Sequence, residues 1–521
     1  MIEIIEQAVR AAVGTDIAVE VTASDKTEFG HYSTNVAFKL APVMRKAPFE
    51  IAKEIVSKVE SRKSKVFERV EAVAPGFVNF WIAPTELHRQ MGEILEQKKG
   101  YGASNVQSPM SKVNLEYVSA NPTGPLTMAN GRGGFYGHAL ANVLEKAGHK
   151  VTREYYVNDA GNQVRLLGES ILADLGITDP AEDHYKGEYV KDLAKSLKQK
   201  VKGKNAEQVG KMAAKILLAS IKRSLKKAGI KHDTWFSEEM NLHKKKELQK
   251  TLRSLEEKGV TEKKDGAIWL GDGVLIKSDG NSTYFLADLA YHCNKLVTRK
   301  FDLAIDIWGA DHHGYAQRMK KGVEALGLPA NKLEILITQL VRLVSGGKEV
   351  RMSKRKGEFV TMDDLIDEVG ADAARWFFLM HSLDTHMDFD LDLAKERSNK
   401  NPVFYVQYAY VRSVNILRKA KRSISGAKIN LLQAESEIGL MLELEKFPDM
   451  IAKTAEDYQV HRLTKYAADI AKALHTFYEK ERVMGIENKE LERSRLALVS
   501  ATKIVLENVF AVLGITAPKK M

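Results

Sequence analysis

KVNLEYVSANPTGPLTMANGRGGFYGHALANVLEKAG, residues 112–148, contains the pattern that decides the fold class. An apolar, β-branched run opens the stretch and predicts a strand, whereas Phe135, Ala139 and Val143 recur at helical spacing near its end. A turn rich in proline and glycine, residues 121–134, joins the two. Backbone N–H groups and the helix dipole converge at such a turn, so the stretch predicts a site for an anionic ligand.

The turn does not match either of two common phosphate-binding motifs. In GRGGFYG the third glycine of the G-x-G-x-x-G pattern falls on Tyr136, so the dinucleotide pattern fits poorly. No stretch of the chain matches G-x-x-x-x-G-K-[ST], which excludes a Walker nucleotide site. The ligand of this turn must therefore be identified from the rest of the chain.

Outward from this turn, short apolar segments alternate with amphipathic helices, which predicts an α/β domain with a parallel sheet. The predicted strands are KVNLEYVS, KVTREYYVN, STYFLADLAYH, FDLAIDIWGA and LEILITQLVRLV. A helical, lysine-rich insertion is expected around residues 170–265. Together these segments predict an α/β domain over residues 106–395.

Two further domains are predicted on either side. Residues 1–105 are expected to form an α+β domain, in which residues 29–60 are largely helical and residues 67–83 form two strands around Pro75–Gly76. Residues 396–521 contain four amphipathic segments, which predict an all-helical bundle.

Composition favours a cytoplasmic globular protein. The 521 residues are 44% hydrophobic and 28% charged, and they contain no apolar run that predicts a membrane span. The single cysteine, Cys293, excludes an internal disulfide and a cysteine-based zinc site. The net charge of +11 fits a polyanionic partner or a lysine-rich solvated surface equally well.

Two more stretches carry polar chemistry. SGGKEVRMSKRKGEFVTMDDL, residues 345–365, places five cations beside a glycine pair, which suits either a loop closing over a triphosphate or an ordinary basic surface loop. DIWGADHHGY, residues 306–315, contains two adjacent histidines beside an aspartate. Without a nearby cysteine or a third histidine, hydrogen bonding to ribose or base is the better interpretation than zinc binding.

The motifs SANPTGPL, REYYVNDAGNQ, DTWFSE, STYFLADLAYH, WGADHHGY, RMSKRKGEFVTMDDLIDEVGADAARWFFL and NPVFYVQYAYVRS occur in this order along the chain. As an ordered set they resemble the arginyl-tRNA synthetase family of class I aminoacyl-tRNA synthetases. FGHYSTNVAFKLA resembles the additional N-terminal domain of that family, so the resemblance covers nearly the whole chain. It implies a Rossmann-type catalytic domain, a tRNA-contacting domain at residues 1–105 and an anticodon-binding bundle at residues 396–521.

The resemblance also implies which residues meet ATP. The Lys-Met-Ser-Lys signature of class I enzymes corresponds to residues 351–354, and the His-(hydrophobic)-Gly-His signature corresponds by position to residues 127–130, where both histidines are replaced. The catalytic residues so implied are Thr127, Asn130, Arg351 and Lys354. The ATP-binding residues are Pro122, Gly124, Thr127, Asn130, Gly131, Gly309, Asp311, His312, Met352, Ser353 and Lys354.

Replacement of the histidines leaves open how the phosphates are met. Thr127 keeps a hydroxyl donor and Asn130 keeps an amide donor, but neither is cationic, so Arg132, Lys354 or Mg²⁺ is expected to meet part of the charge. Asn130 is also a favoured helix N-cap residue, and a capping role alone is the alternative.

By the same resemblance, the substrate arginine is surrounded by Glu116, Ser119, Asn121, Tyr284 and Asp288. Carboxylates suit a guanidinium group, because it presents five donors in a rigid fork. Core packing is the alternative role for Tyr284. Tyr405, Tyr408 and Arg412 are implied to bind tRNA by stacking on unpaired bases, although an aromatic stripe at helical spacing also suits a bundle core.

The implied function is ATP-dependent attachment of L-arginine to its tRNA through an arginyl-adenylate. The implied ligands are ATP with Mg²⁺, L-arginine and arginine tRNA, with no structural zinc and no metal ligands in the protein. A monomer in the cytoplasm with no membrane partner is expected, and tRNA is expected to bind before activation. The rival hypothesis is a non-catalytic paralogue that binds tRNA or a nucleotide, since both signature histidines are absent.

Overall fold

The computed structural model describes residues 1–14, 17–24, 27–62, 64–103, 111–350 and 360–521. Its N-terminal part is an antiparallel sheet backed by helices. Its elements are α1 (Ile2–Val13), β1 (Val21–Ala23), β2 (Tyr32–Thr34), α2 (Val36–Met44), α3 (Pro48–Ser61), β3 (Phe67–Val73), β4 (Phe77–Ile82) and α4 (Pro84–Gln97). The strands pair in the order β1–β2–β4–β3. The two strands predicted around Pro75–Gly76 are confirmed as β3 and β4.

The middle of the chain is an α/β domain with a helical insertion and two small sheets. Its first elements are β5 (Lys112–Glu116), α5 (Met128–Lys146), β6 (Lys150–Val157), α6 (Asn162–Asp174), α7 (Glu188–Leu197), α8 (Ala206–Lys227), β7 (Thr234–Ser237), α9 (Glu247–Glu257), β8 (Glu262–Lys264), β9 (Ala267–Leu270) and β10 (Gly273–Ile276). The remaining elements are α10 (Tyr284–Cys293), β11 (Leu303–Gly309), α11 (His313–Ala325), β12 (Leu333–Thr338), β13 (Val341–Ser345), β14 (Lys348–Glu349), α12 (Met362–Val369), α13 (Ala371–Leu379), β15 (Met387–Asp390) and α14 (Leu391–Lys395).

The five-stranded sheet of this domain is parallel throughout, as predicted. Its order is β12–β11–β5–β6–β7, so the direction of winding reverses between β5 and β11. Val113 and Leu115 on one face of β5 and Asn114 on the other are fully buried, because helices cover both faces of a parallel sheet. A ligand crevice is expected beyond the carboxyl ends of β5 and β11, where the winding reverses.

The prediction of a strand at STYFLADLAYH is wrong, because this segment contains α10. The Thr283 side chain caps the helix by accepting from the Leu286 N–H, and Leu286, Leu289 and Ala290 follow one buried face. Their spacing is helical, and it outweighs the β propensity of the threonine and aromatic residues around it. The fifth strand of the sheet is β7, within DTWFSE, which was not predicted as a strand.

Much of the range predicted as a lysine-rich helical insertion is occupied by α7, α8 and α9, but β7 lies within it and belongs to the five-stranded sheet. Two glycines explain how α6 packs against α8. A Cβ atom on Gly168 of α6 would lie 1.8 Å from the Ala206 carbonyl oxygen, and one on Gly210 of α8 would lie 1.8 Å from that of Val164. The two helices therefore cross with their backbones in contact, which only glycine permits at these positions.

The C-terminal region is a helical bundle of α15 (Pro402–Ala420), α16 (Glu435–Glu445), α17 (Phe447–Asp457), α18 (His461–Lys480) and α19 (Lys489–Leu513). Four helices were predicted, and α17 was missed although Pro448 marks its first turn. By length and composition α19 is apolar enough to cross a membrane, yet most of its apolar stretch is buried inside the protein. It packs against α15, α18, α4 and α5, which identifies it as the core helix of the bundle.

Candidate active site

A cavity of about 700 Å³ opens beyond the carboxyl ends of β5, β6 and β11, beside the start of α5 and one face of α10. Nine residues predicted to bind arginine or ATP line it: Glu116, Ser119, Asn121, Asn130, Tyr284, Asp288, Gly309, Asp311 and His312. Lining residues that the sequence did not single out include Tyr156, Asn158, Gln163, Glu238, Tyr291, His292, Asp306, Trp308 and Tyr315. The fold thus brings the two predicted groups of residues into one space.

Other predicted residues lie elsewhere. Pro122, Gly124, Thr127 and Gly131 belong to the turn or the helix start, but they are not among the described residues that line the cavity. Gly131 instead packs on Met362, whose Cγ would be 3.3 Å from an added Cβ. The predicted residues Arg351, Met352, Ser353 and Lys354 lie outside the described residues.

The backbone directly after β5 is strained. Val118 and Ser119 have φ values of 71° and 36°, a region that residues other than glycine rarely occupy. The Tyr156 N–H donates to the Ser119 hydroxyl at 3.0 Å, and the Tyr155 hydroxyl donates to the Ala120 carbonyl at 2.7 Å. These bonds from β6 hold the conformation that brings Ser119 to the cavity wall, and such strain is common at binding sites.

Thr127, and not Asn130, is the N-cap of α5. Its hydroxyl accepts from the Asn130 N–H, while the Asn130 Oδ1 accepts from the Thr127 N–H and hydroxyl, each at 2.9 Å. The pair forms a capping box. Among the described residues none accepts from the Asn130 Nδ2, and Asn130 lines the cavity. Its side chain can therefore cap the helix with one end and donate to a ligand with the other.

The start of α5 is also joined to the segment that precedes α12. The Met128 N–H donates to the Val360 carbonyl, and the Met362 N–H donates to the Leu126 carbonyl, each at 2.9 Å. Thr127 and Thr361, which cap the two helices, form an isolated antiparallel bridge. The end of the predicted cationic loop is thus fixed beside the turn predicted to bind ATP.

Arg132 does not face the cavity. Its guanidinium is fully buried and donates to the carbonyl oxygens of Gln339, Leu340, Ser382 and Thr385 at 2.7–3.4 Å. These bonds link α5 to the segment between β12 and β13 and to the segment between α13 and β15. Arg132 therefore has a structural role, and the expectation that it meets phosphate charge is wrong.

Asp288 and Tyr284 project from the cavity-facing side of α10. The Tyr315 hydroxyl donates to the Asp288 carboxylate at 2.6 Å. Burial raises the pKa of Asp288 to about 6, and the Tyr315 hydrogen bond offsets only part of that rise. Tyr284 is 56% exposed at the cavity mouth, so the core-packing alternative for it is wrong.

Next to Asp288, Trp308 and Tyr315 stack with ring centroids 5.6 Å apart beside His312. His312 and Asp311 are exposed and lie 3.4 Å apart. Within the described ranges no group of three His, Cys, Asp or Glu side chains could hold a metal ion. This wall therefore offers aromatic faces and hydrogen-bonding groups to a ligand.

Glu116 reaches the cavity from the end of β5 but is already paired. The ammonium of Lys295, fully buried, lies 2.7 Å from the Glu116 Oε2 and 2.7 Å from the Asp306 Oδ1. Asp306 also accepts from the His292 Nε2 at 2.6 Å. Sequence reasoning missed Lys295 because Glu116 is 179 residues away and Asp306 lies on a separate strand, and spacing within one segment gives no signal for such pairs.

The residues predicted to bind tRNA cluster on one side of the bundle. The Arg412 guanidinium lies 4.9 Å from the Tyr408 ring and 5.2 Å from that of Tyr478, and it contacts the His475 Nδ1 at 2.9 Å. Tyr405 packs against the same His475 ring. Tyr408 and Tyr478 are more than a third exposed. This surface offers aromatic faces beside a cation, which suits unpaired bases.

Three protein-family models match the chain in order. "Arginyl tRNA synthetase N terminal domain" matches residues 1–82, "tRNA synthetases class I (R), catalytic domain" matches residues 90–379, and "DALR anticodon binding domain" matches residues 406–521. The catalytic match includes the cavity, and the last includes Tyr408 and Arg412.

Similar proteins have been described in bacteria and a parasite. The arginine–tRNA ligase of Bacillus subtilis is 43% identical over 96% of this chain and 94% of its own length, and that of Carboxydothermus hydrogenoformans is 42% identical over 97% and 95%. The solved arginyl-tRNA synthetases of Thermus thermophilus and Plasmodium falciparum are 22% and 19% identical, with TM-scores of 0.83 and 0.80. They cover 100% of this chain and 100% and 99% of their own. These two structures share the fold.

Proposed function

Because the chain belongs to the arginyl-tRNA synthetase family and attaches arginine to tRNA in an ATP-dependent reaction, we propose that the cavity beside α5 binds arginine and ATP together. One observation carries this assignment. Glu116, Asp288 and Tyr284 meet in a single cavity with the start of α5, at the point where the winding of the sheet reverses. The relatives described above are arginine–tRNA ligases, and none of them supports the non-catalytic rival.

The arginine side chain is recognised by carboxylates. Asp288 and Glu116 accept from the guanidinium fork, and the Tyr284 hydroxyl closes the mouth of the cavity. Ser119 and Asn121 hold the amino-acid backbone at the strained end of β5. An ammonium group of lysine cannot satisfy two carboxylates with the same geometry, which gives selectivity for arginine.

ATP lies between the start of α5 and the wall formed by Trp308, Gly309 and His312. The Asn130 Nδ2 and the N-terminus of α5 meet its phosphates, in place of the imidazoles of other class I enzymes. Lys354 and Arg351 are assigned to the departing pyrophosphate on the sequence signature alone. The arginine carboxylate attacks the α-phosphate in line, giving arginyl-adenylate and pyrophosphate, and the arginyl group then passes to the terminal ribose of tRNA.

We propose that Mg²⁺ enters the cavity bound to the ATP phosphates. The donor set of the described residues fits this arrangement, since no group of three acidic or histidine side chains forms a separate metal site there. When bound, Mg²⁺ would neutralise phosphate charge and align the pyrophosphate leaving group. Asp311 lies at the cavity edge, and its carboxylate is the group we assign to the water molecules bound to Mg²⁺.

The rest of the chain positions the tRNA. We assign residues 1–105 to a tRNA-contacting domain, residues 106–395 to the catalytic domain with its insertion around 170–265, and residues 396–521 to an anticodon-binding domain. Tyr405, Tyr408 and Arg412 are assigned to bases of the anticodon loop. We further propose that the protein is a cytoplasmic monomer and that tRNA binds before activation.

The direct test is aminoacylation of arginine tRNA with labelled arginine, with and without ATP. Acid-precipitable label should accumulate when ATP is present, and not when GTP, CTP or UTP replaces it. Neither lysine nor citrulline should replace arginine. A protein that binds tRNA but never acquires label would leave the rival paralogue as the better interpretation.

A further inference from the structure

Three carboxylates lie side by side beneath the cavity. In the register of the parallel sheet, Asp306 of β11 is opposite Glu116 of β5, and Glu116 is opposite Glu154 of β6. All three are buried. Like charges on adjacent strands repel, and burial makes their ionised forms more costly still, so this row needs counter-charges to exist.

The segment that follows α10 supplies them. After α10 the chain forms a single π-helical turn, Asn294–Thr298. This turn and the residue that follows it bring Lys295 and Arg299 next to the three carboxylates. Lys295 bridges Glu116 and Asp306, whereas Arg299 forms two hydrogen bonds with Glu154, one of them at 2.8 Å. Single π turns of this kind occur often at functional sites.

The two cations serve different neighbours. Glu116 and Asp306 line the cavity, whereas Glu154 is not among the described residues that do so. Lys295 therefore supports carboxylates that face the substrate, and Arg299 supports one behind them. The segment thus contains a natural pair for comparison, since both residues are cations paired with buried acids.

Glu116 is the member of the row whose charge is hardest to keep. Burial raises its pKa, Asp306 raises it further, and the ammonium of Lys295 opposes both. For Asp306 the balance is opposite, because Lys295 and His292 together outweigh burial and lower its pKa to about 2. The other groups around Glu116 are Ser119 in the segment after β5, Glu154 and Tyr156 on β6, and Tyr291 and Asp288 on α10.

We propose that Lys295 is a positioning residue for arginine binding: by bridging Glu116 to Asp306 it holds Glu116 ionised and fixed at the cavity wall, so that Glu116 accepts from the substrate. This inference rests on the proposed function of the cavity. Lys295 does not touch the substrate, because its ammonium is fully enclosed by the two carboxylates and the Tyr291 ring, 4.0 Å from its centroid.

The test compares Lys295→Met with Arg299→Met in aminoacylation assays between pH 6 and 8.5. Both variants remove one cation from the same segment: Lys295→Met removes the counter-charge shared by Glu116 and Asp306, and Arg299→Met removes that of Glu154. In Lys295→Met the KM for arginine should rise about 10- to 100-fold at neutral pH, the loss expected for one charge-assisted bond, with a smaller change in kcat. This KM should fall again as pH rises, because Glu116 then ionises without its partner. Arg299→Met should keep the wild-type KM and its pH profile.

Equal KM values in Lys295→Met and wild type, or an equal rise in both variants, would overturn the proposal, since Lys295 would then only anchor the helix. If Lys295→Met does not fold, Lys295→Met/Asp306→Asn removes one charge of each sign and should show the same pH-dependent KM. A pH-independent KM in that double variant would also overturn the proposal. Failure of the wild-type protein to charge tRNA would instead overturn the proposed function.

Discussion

At the scale of single residues, Asp288 ties arginine binding to pH. Its pKa of about 6 means that the carboxylate is ionised at neutral pH and protonated below it. We expect kcat/KM for arginine to be constant above about pH 7 and to fall as pH drops through 6, because a neutral carboxyl loses its charge-assisted bond to the guanidinium. Steady-state kinetics over pH 5–8 measure this inflection.

Asp288→Asn tests the same residue without changing its size. We expect the KM for arginine to rise roughly 30-fold, equivalent to about 2 kcal/mol, and the inflection near pH 6 to disappear. An unchanged KM would remove Asp288 from the arginine site, and a surviving inflection would assign it to another group.

Asn130 combines two roles that two substitutions can separate. Asn130→Ala loses the capping box and the free amide, so it should lower stability by about 1 kcal/mol and slow activation on the order of 100-fold. Asn130→Asp keeps the acceptor that caps α5 but places a negative oxygen toward the phosphates. It should therefore retain the wild-type Tm and lose at least as much activity as the alanine variant.

Thermal unfolding measured beside the activation rate distinguishes these outcomes. A stable and fully active Asn130→Asp enzyme would mean that backbone N–H groups alone hold ATP at this turn.

At the scale of elements, the cationic loop is defined by its two described ends. It follows the strand Lys348–Glu349 and ends at Val360, whose carbonyl is bonded to the start of α5. We expect Lys354→Ala to lower kcat of activation on the order of 100-fold with little change in the KM for arginine, because its charge acts on departing pyrophosphate. Lys348→Ala removes another of the five cations, the one on the exposed strand β14; it is the matched control and should leave kcat unchanged.

Sequence patterns predicted the wrong type of element for α10, and the reason is physical. Its aromatic residues and Thr283 favour strands, while its function requires a helix that presents Tyr284, Asp288 and His292 at helical spacing. The turn before α5 was easier, since the Pro/Gly-rich segment between a strand and a helix fixes its position locally. Pairings such as Lys295 with Glu116, 179 residues apart, depend on strand register and cannot be inferred from local pattern.

At the scale of the whole molecule, binding of tRNA is expected to depend on the bundle without affecting the arginine site. Tyr408→Ala should raise the KM for tRNA about 10-fold, the effect of losing one stacked base, and leave the KM for arginine unchanged. Tyr410→Phe is the control on the same helix, because Tyr410 is buried and its hydroxyl donates to Glu507. Aminoacylation at varied tRNA and fixed arginine measures both, and an equal effect of the two substitutions would assign Tyr408 to packing.

The domain order and the parallel sheet followed from the sequence because each depends on patterns repeated over many residues. Glu116 and Ser119, which line the cavity, were predicted by resemblance to the synthetase family and not from local pattern. Glu238, Trp308 and Tyr315 were missed as binding candidates, since they reach the cavity through tertiary packing of β7, β11 and α11. Sequence spacing alone contains no information about which of several strand ends face one another.

The position of α19 has a consequence for how the chain is made in the cell. The Asn508 side chain on this helix donates to the Lys98 carbonyl at the end of α4, 410 residues earlier, and α4 packs against both α16 and α19. At a ribosomal rate of about 5–20 residues per second, the first domain waits roughly 20–80 s for the surface that covers it. During this interval the apolar side of α4 is exposed to solvent. The nascent chain should therefore bind ribosome-associated chaperones until its last helix emerges.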